Sequence, residues 1–408
     1  MAIAPATRVV SSGPFQMMLQ HEALCVVSIP PDLVPKAAWW LVREYSLDQR
    51  DKGGSFSSLL LDDDGLSIVC SPLALTVLEN LLQHNPAMIA SKQRWKAFII
   101  TMVGSEFPGA VYYLADSLSK EGMSILHIST FESEVFLVQE QDVDRACSVL
   151  RRMEDPKRLE QMRNLADHQQ ARNESPYREG FELNVLPGNF YLTKLDDSAQ
   201  LSSCASVLTR LLLFDPRYSA LERSMSKAIK EKERSRNNSR SSLSDPADAP
   251  PPVPSSSSSK LAQPRDGSTG SGWDLTGLEL GEEKALAVSD QRASSSSASF
   301  MWGLWQCDSE LTLLLEEADV ESFPAGSLVV SPQRWKVIKL CGRAIEFDET
   351  GIVSAMTTTQ IQEGEGVSLN ISTATTNCTL VPVELLSATL TSLKAALGCA
   401  AVDPTEEF

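Results

Sequence analysis

The chain has 408 residues, of which 42% are hydrophobic, and it carries a formal net charge of −17. At about 150 residues per domain, this length predicts two or three globular units with a sizeable core. The acidic balance argues against nucleic-acid binding, which needs basic patches, and mildly favours a cationic small ligand. The first residues lack the pattern of a secretory signal, and no run reaches the roughly 18 apolar residues of a membrane span.

The cysteines are scattered along the chain, and no two of them form a C-x-x-C pair. They are Cys25, Cys70, Cys147, Cys204, Cys307, Cys341, Cys378 and Cys399. In a chain without a secretory signal, this pattern predicts reduced cysteines in the core. We expect neither a metal nor another cofactor.

In the first half of the chain, about residues 20–152, strand and helix patterns follow the order β-α-β-β-α twice. The predicted elements are strand Leu24–Ile29, helix Leu33–Leu47, strands Phe56–Leu61, Leu66–Cys70 and Ala97–Val103, helix Val111–Lys120, strands Ser124–Ile128 and Val135–Val138, and helix Val143–Met153. Turns are predicted at Asp63-Asp64-Gly65, Pro108-Gly109 and Glu132-Ser133. This order is typical of a ferredoxin-like fold, in which an antiparallel sheet carries helices on one face.

The second half, about residues 180–400, shows the same kinds of pattern around a long interruption. The predicted elements are strand Phe190–Leu195, helix Ala199–Phe214, strands Leu311–Leu315 and Trp335–Leu340, a turn at Gly351, strands Val367–Ile371 and Cys378–Val381, and helix Glu384–Leu397. Residues 231–298 are rich in serine and proline and poor in large apolar residues. Such a segment cannot bury enough apolar surface to offset its ordering entropy, so we predict a disordered insertion.

Short words recur in the same order in both halves. Gln93-Arg94-Trp95-Lys96 returns as Gln333-Arg334-Trp335-Lys336, and Ile128-Ser129-Thr130 returns as Ile371-Ser372-Thr373. Each copy of the second word is followed by Leu-Val, at Leu137 and Leu380. Repeated words in a kept order indicate two homologous halves.

We therefore predict an α+β fold of four tandem ferredoxin-like βαββαβ modules in two pseudo-repeated halves, with a long disordered insertion. The predicted boundaries are 20–90 for module 1, 91–155 for module 2, 156–180 for a linker, 181–230 and 299–332 for module 3, 231–298 for the insertion and 333–400 for module 4.

No catalytic set is recognisable in the sequence. The histidines, His21, His84, His127 and His168, lie far from any serine or cysteine in a known arrangement, and no phosphate-binding or zinc motif occurs. On its strand, His127 is expected to be structural. Asp62-Asp63-Asp64 is either a cation site or a solvated hairpin turn, and the lack of further oxygen ligands at fixed spacing favours the turn.

Two glycine turns occupy matching places, each between a strand and a helix. They are Phe107-Pro108-Gly109 and the stretch from Phe347 to Gly351. A glycine there lets backbone amides at the helix start face outward, where a carboxylate binds well. The alternative is a tight turn that needs no ligand.

Several stretches in both halves carry a family resemblance: Trp335-Lys-Val-Ile-Lys-Leu-Cys-Gly342, Phe347-Asp-Glu-Thr-Gly-Ile-Val353, Ile371-Ser-Thr373, Leu380-Val-Pro-Val-Glu384, Leu311 to Leu315, Ser322-Phe323-Pro324, Ile128-Ser-Thr-Phe131 and Val135 to Val138. Together they resemble the CASTOR family of cytosolic arginine sensors, which consist of four stacked ACT modules. The likeness covers both halves and skips the serine-rich insertion. It implies that the four predicted modules are ACT modules.

The resemblance also implies a ligand site between modules 2 and 4. The matching positions are Tyr113, Leu114, Glu349, Thr350, Gly351, Ile352, Thr373, Ala374 and Asn377. Three of them depart from the family, which has a serine, an aromatic residue and an aspartate where this chain has Tyr113, Ala374 and Asn377. An amide in place of the aspartate weakens the hold on a guanidinium, since a charge-assisted hydrogen bond is worth about 1.5–3 kcal/mol and a neutral one about 1.

The resemblance implies a non-enzymatic, cytoplasmic regulator that binds arginine or another amino acid and acts on a regulatory protein complex upstream of the target-of-rapamycin kinase. Homodimerisation is a further expectation from the family. The alternative is a ligand-independent interaction scaffold that keeps the ACT architecture and has lost the pocket. An ACT-regulated enzyme is disfavoured, because the modules and the linker leave no room for a catalytic domain.

Overall fold

The computed structural model describes residues 8–9, 15–41, 56–76, 78–102, 109–153, 155, 180–196, 201–213, 300–307, 310–358, 368–398 and 400–401. All of these lie within one unit formed by residues 1–218 and 298–408. The predicted insertion, residues 231–298, and the predicted linker up to residue 179 lie outside the described residues.

The described residues form eighteen strands and nine α-helices. The strands are β1 Arg8–Val9, β2 Phe15–Leu19, β3 Cys25–Ile29, β4 Ser57–Asp62, β5 Gly65–Cys70, β6 Ile89–Ala90, β7 Trp95–Met102, β8 Ile125–Ser129, β9 Glu134–Gln139, β10 Glu182–Val185, β11 Phe190–Leu195, β12 Met301–Cys307, β13 Glu310–Glu316, β14 Leu328–Val330, β15 Trp335–Cys341, β16 Leu369–Ser372, β17 Asn377–Pro382 and β18 Ala400–Ala401. The helices are α1 Val34–Leu41, α2 Pro72–Leu75, α3 Glu79–His84, α4 Ala110–Lys120, α5 Val143–Arg152, α6 Leu201–Leu213, α7 Glu317–Val320, α8 Ile352–Met356 and α9 Leu386–Leu397.

The main strands form two antiparallel series of eight, and each series takes four strands from each half of the chain. One series runs β2-β7-β9-β8-β16-β17-β15-β10. The other runs β6-β3-β5-β4-β12-β13-β11-β14. In both series the two halves meet in the middle, so the sheet is continuous across the chain.

The repeated tryptophan links the two series. Trp95 begins β7 and forms an isolated bridge with Leu24, and Trp335 begins β15 and pairs with Phe190. Both indoles are buried, with 0% and 4% of their surfaces exposed. The repeated Gln-Arg-Trp-Lys word thus lies where the curled sheet passes from one series to the other.

The predicted helices and strands lie close to their predicted places, with shifts of a few residues at their ends, whereas the short helices α2, α3 and α7 were not predicted. Helix α4 begins at Ala110, one residue before its predicted start, and α5 ends at Arg152. The helix predicted from Leu33 to Leu47 starts with a 3-10 turn and is described up to Leu41; residues 42–50 lie outside the described residues.

Seven strands were not predicted: β1, β2, β6, β10, β12, β14 and β18. Strand β2 precedes the predicted first module at residue 20, yet it pairs with β7 of the predicted second module. Strand β10 likewise lies in the segment assigned to the third module and pairs with β15 of the fourth. Four- and five-residue strands carry weak patterns, and local sequence does not name their partners.

The core lies where strands are covered on both faces. Every residue of β5 is buried, as is every residue of β16. The central cluster draws on both halves and includes Trp95, Trp305 and Trp335. Six of the cysteines are buried, as predicted, and Cys341 is half-buried; Cys399 lies outside the described residues.

Candidate functional site

The two copies of the Ile-Ser-Thr word pair with each other. Ile128 of β8 faces Ile371 of β16. The amide of His127 donates a hydrogen bond to Ser372 Oγ at 2.9 Å, and the amide of Asn370 donates to Ser129 Oγ at 3.0 Å. The contact is self-complementary, as in a two-fold interface, because in each copy of the word the serine accepts a hydrogen bond from the residue before the isoleucine of the other copy. The repeat in the sequence was the signal for this junction.

Next to this junction, helices α4 and α8 pack against each other. Each begins after a glycine in the left-handed conformation, Gly109 at φ 79° and Gly351 at φ 84°. An L-residue with a Cβ is strained there, which explains the glycine in both turns. Val353 of α8 shares a buried cluster with Tyr113 and Leu114 of α4. The structure thus brings the start of α8 next to the helix that carries Tyr113 and Leu114.

Tyr113 and Leu114 are buried in this helix contact, each with 1% of its surface exposed. Ile352 is also buried, in the cluster beneath α8 and α9, whereas Thr350 is half-buried. Tyr113 therefore acts as a packing residue in this arrangement.

Glu349, the predicted acidic residue of the site, is bound by a residue of its own loop. Its carboxylate accepts two hydrogen bonds from the Arg343 guanidinium, one of them 3.0 Å long, and one from the Glu346 amide at 2.8 Å. These hydrogen bonds lower the pKa of Glu349 against the opposing effect of burial. The carboxylate is ionised at neutral pH and already has a cationic partner.

The residues after β16 are held by interactions within the protein. The side-chain amides of Asn377 and Asn370 bond to each other at 2.6 and 3.1 Å, and Asn377 Nδ2 also donates to Ser372 Oγ at 2.9 Å. The amide of Ala374 donates to Ser67 Oγ of β5 at 2.8 Å. Asn377 therefore has partners for its oxygen and its nitrogen without a ligand.

Thr373 organises the turn that follows β16. Its hydroxyl accepts a hydrogen bond from the Thr376 amide at 2.8 Å and donates one to the Thr376 carbonyl at 3.2 Å. Thr373 is buried, with 5% of its surface exposed. The residue holds the turn beside Asn377 in place.

The turn Asp62-Asp63-Asp64 is not the solvated hairpin that the sequence predicted. The Lys339 ammonium lies 2.9 Å from the Asp62 carboxylate and 2.6 Å from each of the other two. Lys339 and Asp62 are buried, because β15 runs through the core and brings its lysine to the end of the β4–β5 hairpin. No local pattern signals this contact, which joins residues 276 positions apart.

The charged groups of this cluster shift one another's pKa values. Burial alone lowers the pKa of Lys339, but the three carboxylates together raise it above its usual range. Burial raises the pKa of Asp62 to about 6, with repulsion from Asp63 and Asp64 added and attraction to Lys339 opposing. The three acidic groups lie close enough together to hold a metal ion, but the lysine already contacts all three.

His127 is structural in this arrangement, in line with the expectation from the sequence. Its ring is fully buried, lies 4.5 Å from the Phe136 ring, and has Nε2 3.0 Å from a Glu134 oxygen. His21 follows β2, His84 is the last residue of α3, and His168 lies outside the described residues.

A cleft of about 360 Å³ lies beside the β8–β9 turn. It is lined by Ile100, Thr130, Phe131, Glu132, Ser133, Glu134, Leu192, Ser331, Pro332, Trp335 and Leu369. The nine predicted ligand residues line none of it. The cleft and the α4–α8 contact are therefore separate features of the described structure.

Within the described residues, no helix is both long enough and apolar enough to cross a membrane. In sequence comparison, residues 90–152 match the family model of the ACT domain. No curated protein matches the chain significantly.

Solved structures give weaker likenesses. The aspartate kinase of Synechocystis aligns at 12% identity and a TM-score of 0.28, over 95% of this chain and 57% of that protein, so the match spans little more than half of the kinase. The aspartate kinase of Clostridium acetobutylicum aligns at 15% identity and a TM-score of 0.26, over 36% of each chain. A protein of Agobacterium tumefaciens aligns at 20% identity and a TM-score of 0.24, over 33% of this chain and 84% of that protein. Scores this low do not establish a common fold.

The matched segment contains β7, α4, β8, β9 and α5, in the β-α-β-β-α order predicted for module 2. It includes Tyr113 and Leu114 as well as the junction strand β8. Over residues 90–152, the match to the ACT domain model and the order of the elements therefore agree.

Proposed function

We propose that this chain is a non-enzymatic regulatory protein that responds to an amino acid bound where α4 meets α8. The observation that carries the proposal is the place of the ACT domain in the fold, since its strand β8 and helix α4 both contact the other half of the chain. A ligand that bridges the two helices favours one arrangement of the halves to the extent that it binds that arrangement better.

The start of α4 suits the carboxylate of an amino acid. Gly109 opens the helix in the left-handed conformation, and no side chain of the described residues caps it. The first amides of a helix have no partner within the helix, and the helix dipole favours an anion there. This arrangement supports an amino acid over a ligand without a carboxylate.

The finer part of the proposal rests on the sequence resemblance to the arginine sensors. On that basis the protein is a cytoplasmic regulator that acts through a protein complex upstream of the target-of-rapamycin kinase and forms a homodimer. Its ligand is arginine or another amino acid, and the positions that bind it are the nine named above.

The second candidate function is a ligand-independent interaction scaffold. The closed hydrogen-bond network of Asn377 with Asn370 and Ser372 favours it, because a ligand gains nothing from groups that are already paired. The buried side chain of Tyr113 favours it as well.

A thermal-shift screen of the full-length protein against the twenty amino acids separates the two functions. A ligand selective for the folded state at a hundred times its dissociation constant adds about 2.7 kcal/mol to the free energy of unfolding. A rise in melting temperature with one or a few amino acids, confirmed by calorimetric titration, supports sensing and identifies the ligand. The absence of any shift refutes sensing and leaves the scaffold.

A further inference from the structure

The loop of residues 342–351, which leads into α8, is held by several parts of the fold. Gln139 Nε2 of β9 donates to the Phe347 carbonyl at 3.0 Å, and the Phe347 ring meets the Trp95 ring edge-on at 6.1 Å between centroids. The Ile345 amide donates to the Thr375 carbonyl at 2.7 Å. The loop therefore has a defined shape on which its charged side chains are arranged.

Within this loop, the Arg343 guanidinium bonds to the Glu349 carboxylate in the way that the side chain of a free arginine would. Two guanidinium nitrogens bond to the two carboxylate oxygens, the fork geometry by which arginine recognises a carboxylate. The guanidinium carbon also lies 3.9 Å from the centroid of the Phe181 ring. Phe181 belongs to the segment before β10, so the arginine joins the loop to a second element.

The pair is only partly shielded, which makes it open to competition. Arg343 has 38% of its side chain exposed and Glu349 has 21%. Half-exposed ion pairs contribute little to stability, so a ligand or a substitution can displace the arginine at small cost. Hydrogen bonding to Arg343 lowers the pKa of Glu349, which agrees with an ionised carboxylate in a closed pair.

We propose that Arg343 determines the specificity of the site. Its guanidinium already bonds to the Glu349 carboxylate, and this lowers the affinity for amino acids with a basic side chain. The proposal rests on the proposed function, since it takes the loop before α8 as part of the amino-acid site. It adds that Arg343 of the chain itself takes the place of the basic ligand side chain that Glu349 would otherwise bind. A neutral side chain does not need this carboxylate and is not affected by its occupation.

Calorimetric titration with arginine and citrulline tests this role in the full-length protein. Citrulline has the shape of arginine but a neutral side chain, so the ratio of the two affinities isolates the charge. In Arg343→Gln we expect arginine to bind at least about tenfold more tightly than in the wild type, as the gain of one charge-assisted hydrogen bond implies. The affinity for citrulline should change by less than about threefold.

Arg334→Gln is the matched control. Arg334 forms a similar half-exposed pair with Glu317 at 2.7 Å, outside the loop, and its loss should leave both affinities unchanged. Arg343→Lys is the second variant, needed if Arg343→Gln does not fold as judged by circular dichroism. Lysine keeps the charge without the fork, so we expect a smaller gain for arginine.

The outcomes separate the two proposals. If the wild type binds an amino acid but the folded Arg343 variants bind arginine no better, the specificity role is wrong and the proposed function stands. An equal gain for citrulline also overturns the role, because it shows an effect on shape and not on charge. If none of the proteins binds arginine, citrulline or any of the twenty amino acids, both proposals are wrong.

Discussion

The Lys339 ammonium lies 2.9 Å from the Asp62 carboxylate, with both side chains buried. The lysine belongs to a strand of the second half of the chain and the aspartate to a hairpin of the first half. Asp63 and Asp64 complete the contact at 2.6 Å each. Because a buried charge is costly without a partner, this cluster favours one placement of the two halves over alternatives that would separate the charges.

Replacing Lys339 with methionine should strongly destabilise the protein. The change leaves Asp62 buried without its counter-ion, which typically costs about 3–5 kcal/mol. Urea denaturation measures the loss. Lys120→Met is the control, because Lys120 pairs with Asp116 on the surface and should lose less than about 1 kcal/mol. A loss for Lys339→Met no larger than for the control would show that the cluster does not hold the halves together.

The pH dependence of stability should carry a signature of Asp62. Its pKa rises from 3.8 to about 6 on folding, so the folded protein holds this proton more tightly than the unfolded chain. Its contribution to the free energy of unfolding therefore falls as the pH rises from about 4 through 6. Asp62→Asn does not titrate, so the melting temperature of the wild type relative to this variant should fall across that window.

Thermal melts of the two proteins between pH 4 and pH 7.5 measure this difference. Glu384→Gln is the control, because it removes one exposed negative charge outside the cluster and tests for a general effect of net charge. A constant difference between the wild type and Asp62→Asn across the range would contradict the prediction.

Ser372→Ala should weaken the β8–β16 junction. The change removes the acceptor of the buried His127 amide, and an unsatisfied buried donor costs about 1–3 kcal/mol. Urea denaturation gives the cost, and hydrogen exchange of the His127 amide should become faster. Ser148→Ala removes an exposed helix hydroxyl and should change stability by less than about 0.5 kcal/mol. Unchanged exchange at His127 would show that this bond does not protect the junction.

Gly351→Ala should cost about 1–2 kcal/mol, because the residue adopts φ 84° and a Cβ is strained there. Gly122→Ala is the matched control: it has φ 71°, and an added Cβ meets no atom within 4 Å. We expect similar losses in melting temperature, with loss of any amino-acid response only for Gly351→Ala. Equal responses in both variants would place the ligand elsewhere.

The glycine turns before α4 and α8 could be located from the sequence, because they carry local signals. Glycine between a strand and a helix predicted turns at Gly109 and Gly351, and the repeated Ile-Ser-Thr word indicated two homologous halves, though not that its two copies pair. The side-chain contacts of the predicted site residues could not be predicted in this way. Tyr113 lies in a helix contact, and Glu349 is bound by Arg343, because side-chain partners depend on how the loop folds back on itself.

Local sequence was enough to predict the longer helices, most of the strands and the repeat between the two halves of the chain. Periodicity and turn residues report these local features because each depends on neighbours only a few positions away. The partners depend on the tertiary structure: β2 pairs with β7, His127 bonds to Ser372 across 245 positions, and Lys339 bonds to Asp63 across 276. Apolar periodicity shows that a face is buried but not what covers it, and that choice depends on packing the whole chain at once.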